Sequence, residues 1–127
     1  MLAQRNPREA YRRVDFDARV STATPAQLVS LCYEQLIGAL GSALAGAERG
    51  DNLLKSQSLT RAVSALTALH LGVDGEAGIA VVLRQLYEGA RRSVLDNVVT
   101  FDPRVIAAIR QDFIDISKAM SASGGQT

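Results

Sequence analysis

The sequence predicts an all-α protein: an antiparallel up-down-up-down four-helix bundle behind a mobile or conditionally helical N-terminal arm. Three observations carry this. Apolar residues recur at helical spacing in four long segments. Capping and stop residues punctuate those segments at close intervals, and short links between long helices make neighbours run antiparallel. The composition is rich in Ala and Leu, with 5% aromatic residues and no Trp, which favours helix over strand.

Residues 1–24 form the arm. They are polar, with Arg5, Arg8, Arg12, Arg13 and Arg19 against Glu9, Asp15 and Asp17, and Tyr11, Val14 and Phe16 scattered among them. The bundle occupies residues 25–122. Its first helix opens at Thr24-Pro25-Ala26-Gln27, where Thr24 caps, Pro25 takes the first helical position and Gln27 completes a capping box. Leu28, Leu31, Cys32, Leu36, Ala39, Leu40, Ala43, Leu44 and Ala47 continue it, and Gly50 stops it. A second helix runs over about 53–71 on a stripe of Leu59, Ala62, Val63, Leu66 and Leu69. Gly72 and Asp74-Gly75 break it, and Asp74 is placed to cap a third helix over roughly 76–99. Asp102-Pro103 starts the fourth, which carries Val105, Ile109, Phe113, Ile116 and Met120. Residues 123–127 read as a disordered tail.

The bulk properties narrow the function. Length fits one domain with one core, and 47% hydrophobic against 21% charged residues is a globular balance. A net charge of +1 lacks the basic excess of a nucleic-acid binder. Cys32 is the single cysteine, so no intramolecular disulfide forms, and it reads as a small buried hydrophobe. No signal peptide and no uninterrupted membrane-length apolar run is present, so the expectation is a soluble cytoplasmic protein without membrane insertion.

No catalytic, cofactor or metal constellation emerges. His70 is the only histidine and reads as a packing or surface residue on the second helix. Gly72, Gly75 and Gly78 match no phosphate-loop spacing and follow no strand. Arg91-Arg92 reads as a surface salt-bridging pair. No nucleophile, base and orienting group can be named together, which argues against an enzyme.

Two helices carry more apolar surface than one bundle needs. Val29, Tyr33 and Ile37 lie off the main stripe of the first, and Ile79, Val81, Tyr87, Leu95 and Val99 widen the face of the third. Such width suits either a generous core or a surface for another helix, a second subunit or the arm. Gly38, Gly41 and Gly46 in the first helix suggest close approach of another backbone, intramolecular or from a partner.

Taken in order, these segments resemble the flagellin export chaperone (FliS) family. Tyr11 followed by Val20-Ser21-Thr22-Ala23-Thr24-Pro25-Ala26-Gln27-Leu28 is similar to its opening, and Leu31-Cys32-Tyr33-Glu34 to its Met-Leu-Tyr-Asp. Val73-Asp74-Gly75-Glu76-Ala77-Gly78, Leu86-Tyr87-Glu88 and Arg91-Arg92 resemble later family stretches. The likeness spans about residues 11–120; the Gly-Gly region is about two residues shorter here, at Gly78-Ile79-Ala80, and the family's late Trp is absent. The resemblance implies a cytoplasmic chaperone that binds the C-terminal helical segment of flagellin in apolar grooves. Such a protein prevents premature polymerisation and presents the subunit to the export apparatus. Many members dimerise, and the arm can occupy a groove when the partner is absent. The candidate partner-binding residues are then Tyr11 on the arm with Val29, Tyr33, Ile37, Ile79, Leu83 and Tyr87 as exposed groove members. No cofactor is implied. The alternative reading is a structural or regulatory helical homodimer without a secretion client, built on the small-residue face of the first helix.

Overall fold

The computed structural model describes residues 7–124, with side chains described as far as residue 122. Among the described residues the chain is all-helical: α1 (Pro7–Ser21), α2 (Pro25–Arg49), α3 (Asn52–Leu71), α4 (Ile79–Val99) and α5 (Pro103–Gly124). Residues 1–6 of the arm and 125–127 of the tail lie outside the described residues, and the α5 backbone stays helical through Gly124.

Local chemistry sets the helix ends. At the start of α2 the Gln27 amide N–H donates to Thr24 Oγ1 at 3.2 Å, and the Thr24 amide N–H donates to Gln27 Oε1 at 2.9 Å. Two otherwise orphaned donors are satisfied reciprocally. Gly50 closes α2 in the left-handed region at φ 72, which an L side chain adopts only under strain. The chain turns at once into α3, where Asp51 accepts from the Leu54 amide at 3.0 Å. Gly46 is needed at this corner: a Cβ there would sit 2.9 Å from the Lys55 nitrogen and 3.0 Å from the Asp51 oxygen. The close approach expected of the glycines therefore occurs at Gly46. Gly41 faces the Arg110 side chain, and Gly38 has open space beside it.

The third predicted helix begins three residues later than its pattern suggested, and Asp74 does not cap it. Gly75 (φ 101) and Gly78 (φ 64) both take positive φ, which interrupts any helix through 76–78. Gly78 is the N-cap residue and supplies no side-chain cap. The loop is pinned instead by Arg84, whose Nη2 donates to the carbonyls of Val73 (3.1 Å) and Gly75 (2.6 Å). At the other end of α4, buried Asn97 donates to the Ser93 carbonyl at 2.8 Å and accepts from the Asp102 amide at 2.6 Å, tying α4 to the start of α5.

The core gathers Leu36, Leu40 and Ala43 of α2, Leu59, Ala62 and Leu66 of α3, Val94 of α4, and Ile106 and Phe113 of α5. α2 is the central element. It shares its largest interface with α3 and also packs on α5; α4 packs chiefly on α3 and only lightly on α5. Burying a whole Leu or Phe side chain stabilises by about 1.5–3 kcal/mol, so this cluster is the main favourable term in folding. By length and hydropathy α2 alone among the described helices could cross a membrane; here its most apolar face supplies the centre of the core.

α1 is different. It buries no residue and touches the rest of the chain sparsely, chiefly through α2. Charges hold it at both ends. Glu9 accepts from Arg61 Nη1 of α3 at 2.7 and 2.8 Å, and Arg19 donates from both terminal nitrogens to Glu34 of α2 at 2.7 and 2.9 Å.

Candidate functional site: an apolar groove walled by α1

α1 stands off α2, and the two sides of the gap differ in chemistry. On one side a cleft of about 290 Å³ has a mixed lining, the polar Arg12, Asp15, Arg19, Glu34, Gln35 and Arg61 beside the apolar Phe16, Leu31 and Ala39. The Arg19–Glu34 pair crosses it. The guanidinium of Arg19 holds the Glu34 carboxyl below its usual range, and Glu34 in turn raises Arg19.

On the other side lies a larger groove of about 620 Å³, apolar almost throughout. Its walls come from every helix. α1 gives Phe16 and Val20; α2 gives Leu28, Val29 and Cys32; the end of α3 and the following loop give Leu69, Val73 and Asp74; α4 gives Ile79, Leu83 and Tyr87; α5 gives Met120. Helical spacing explains the alignment. Leu28 and Cys32, four apart, share one face of α2, and Ala80, Leu83 and Tyr87 line up on α4 at steps of three and four. Ile79 is 70% exposed, so a large apolar surface is offered to anything that enters.

Deeper in, the groove meets an aromatic cluster. Tyr33, Tyr87 and Phe113 pack with ring centroids 5.7–6.3 Å apart. The Tyr33 and Tyr87 hydroxyls lie 2.8 Å from each other. Burial, then the hydrogen bond to Tyr87, pushes Tyr33 far above the ordinary tyrosine value. Burial also raises Tyr87, with the Tyr33 hydrogen bond opposing and the neighbouring Cys32 adding to the rise. Both hydroxyls therefore stay protonated at neutral pH.

The residues singled out from sequence divide as follows. Val29, Ile79, Leu83 and Tyr87 meet in the groove. Tyr33 and Tyr87 are not exposed, as had been expected, but 2% and 3% accessible; their rings fill the core between α2, α4 and α5. Ile37 is half-buried against the core outside the groove, and its carbonyl accepts from Arg110 Nε at 3.0 Å. Tyr11 projects from α1 at 79% exposure and does not line the groove; Phe16 and Val20 take that place. Cys32 is half-buried in the groove wall rather than fully buried, and burial raises its thiol. Sequence reading missed Phe16, Val20, Leu28, Cys32, Val73 and Met120 as groove residues. The i, i+4 spacing of Phe16 and Val20 was a signal, though it names no neighbour.

Other chemistry is sparse. Among the described residues no three His, Cys, Asp or Glu side chains converge as a metal site requires. His70 Nδ1 lies 3.9 Å from Glu88 Oε1, and Glu88 also draws in Arg91 and Arg92 at 3.7 and 3.5 Å. The arrangement reads as a surface charge network. Amphipathic helices bind by laying i, i+3, i+4 anchors into apolar surfaces of this kind.

The sequence model of the flagellar protein FliS family matches residues 7–122, which takes in α1 and nearly all the rest of the described chain. The chain belongs to the FliS family. The chain is also 29% identical over 114 residues to the flagellar secretion chaperone FliS of Salmonella typhimurium, covering 87% of this chain and 84% of that one. The match of the family extends through the groove-lining segments of all five helices, so the groove lies within the part of the chain that the family shares.

Proposed function

We propose that this protein is a flagellar secretion chaperone. It receives the C-terminal helical segment of flagellin in the groove between α1, α2 and α4, keeps the subunit from polymerising in the cytoplasm and delivers it to the export apparatus. The carrying observation is the apolar groove, with one wall, α1, that has no buried residue and is held by ion pairs. Family membership and the name of the Salmonella relative support the chaperone role.

The scaffold in this reading is an antiparallel up-down-up-down bundle of α2 to α5. Cross-helix pairs support it. Along α2 and α5, Ile37 meets Arg110, and further along α2, Ala47 and Pro103 share a depression. Along α3 and α4, Thr67 meets Arg91 and His70 meets Glu88. In both cases one number rises as the other falls.

The physics favours wrapping over a point contact. A segment that is disordered alone loses conformational entropy on docking, so it needs broad apolar contact for useful affinity. The small-residue face of α2, which motivated the homodimer alternative, is used within the chain by α3 at Gly46 and by Arg110 at Gly41.

Calorimetry of the protein with intact flagellin and with flagellin lacking its C-terminal segment tests the proposal. Binding of the intact form alone is expected. Equal affinity for both, or none for either, would sink it.

A further inference from the structure

Among the described residues that line the apolar groove, Asp74 is the only charged one. It sits in the α3–α4 loop, between Val73 and Ile79, which line the groove as well. No internal role accounts for it. Asp74 does not cap α4, whose N-cap residue is Gly78. It follows the C-terminus of α3, where the helix dipole disfavours an acid. Its exposed side chain has no hydrogen-bond or ion-pair partner among the described residues. Arg84 reaches the same loop, yet its Nη2 is engaged by the carbonyls of Val73 and Gly75 at 3.1 and 2.6 Å. Those two bonds flank Asp74 and hold its backbone on both sides, so the carboxylate is positioned before any partner arrives.

We infer that Asp74 is a specificity-determining residue that pairs with a Lys or Arg of the docked helix and so fixes which end of that helix lies at the α3–α4 loop. The inference rests on the reading of this groove as the client site. In the free protein water solvates the exposed carboxylate. A docked helix strips part of that water. A cation restores the lost interaction, whereas a hydrocarbon or a second carboxylate does not. The apolar lining offers contact area to any amphipathic helix, and the single charge discriminates among them and sets their direction. The partner this site fits is therefore an amphipathic helix with a basic residue at one end of its apolar stripe.

The test uses a peptide spanning the C-terminal helical segment of flagellin, titrated calorimetrically into the full chain and into Asp74→Asn, Asp74→Lys and Glu76→Gln. Titrations are run at about 20 mM and about 1 M salt, and a melting curve is recorded for each variant. Glu76 is the control, an exposed acid of the same loop that does not line the groove. At low salt Asp74→Asn is expected to bind roughly threefold more weakly and Asp74→Lys roughly tenfold, with melting little changed. At high salt the screening length is about 3 Å, and the Asp74→Asn difference should largely vanish. Glu76→Gln should stay close to the unaltered protein. Replacing the Lys and Arg of the peptide one at a time by Glu should reveal one position that weakens binding to the unaltered protein and recovers binding to Asp74→Lys. Unchanged affinity in Asp74→Asn, a loss there that high salt leaves intact, an equal loss in Glu76→Gln, or no position with this reciprocal recovery overturns the inference. If Asp74→Lys fails to fold, the peptide series on Asp74→Asn decides: the position sensitive in the unaltered protein must then cease to matter, and equal sensitivity overturns the inference. Absence of any binding by the unaltered protein overturns the client reading itself, a different result from tight binding that ignores Asp74.

Discussion

Ile79→Ala separates a binding surface from a core. Ile79 is the first residue of α4 and is 70% exposed. Burying a whole Ile side chain is worth about 1.5–3 kcal/mol, so roughly 1–2 kcal/mol remains to be gained when a client helix covers it. Alanine keeps only the β-carbon and forfeits most of that, close to 1 kcal/mol. The dissociation constant for the flagellin C-terminal peptide should therefore rise roughly fivefold. The fold should barely notice, because little of the side chain is buried in the free protein and Ala is the better helix former. Leu36→Ala is the contrast: Leu36 is fully buried, and its truncation should cost about 2–5 kcal/mol of stability. Calorimetric titration paired with urea melts reads both quantities. Unchanged affinity in Ile79→Ala, or a stability loss comparable to that of Leu36→Ala, would refute the placement of Ile79 at the client surface.

Three further outcomes are expected. Gly46→Ala drives a Cβ to within 3.0 Å of α3 backbone atoms, and overpacking of this kind costs about 1–3 kcal/mol, visible as a lower melting temperature. Thr24→Ala removes the capping box of α2 and should cost about 1 kcal/mol, with faster amide exchange confined to the first turn of α2. Attachment of α1 should weaken in acid. Arg19 depresses the Glu34 carboxyl, so the contact is fully present above the ordinary glutamate value of 4.5 and is lost as pH falls through the lower folded value. Both partners of that pair are substantially exposed, so added salt should loosen α1 as well. Proteolysis within α1, followed against pH and salt, checks this; cleavage that ignores both would show that apolar packing holds α1.

Much of the helix framework was legible in the residue order because its determinants are local. Thr24 and Gln27 form a capping box whatever lies beyond them, and Pro25 and Pro103 fix their own φ. The late start of α4 was not legible from apolar spacing. It depends on two glycines at positive φ and on Arg84 reaching back across the loop to Val73 and Gly75. α1 as a full helix was hidden for a related reason. Fifteen polar-rich residues have little propensity to stand alone, and the Glu9–Arg61 and Arg19–Glu34 pairs join positions 52 and 15 residues apart.

The groove shows where sequence stops. Val29, Tyr33 and Ile37 share one apolar pattern on α2, yet Val29 lines the groove, Tyr33 is buried in the core and Ile37 packs beside α5. Periodicity assigns residues to a face of a helix and does not say which neighbour covers that face. The sequence by itself determined that the chain is helical, where three of the helices begin, that apolar surface is in excess, and which family it resembles. Only the tertiary structure decided which of that surface stays open. Openness is a property of the distances between α1, α2 and α4, and those distances are set by side chains far apart in the chain, among them the ion pairs that fasten α1 to the bundle and the tyrosine pair that joins α2 to α4.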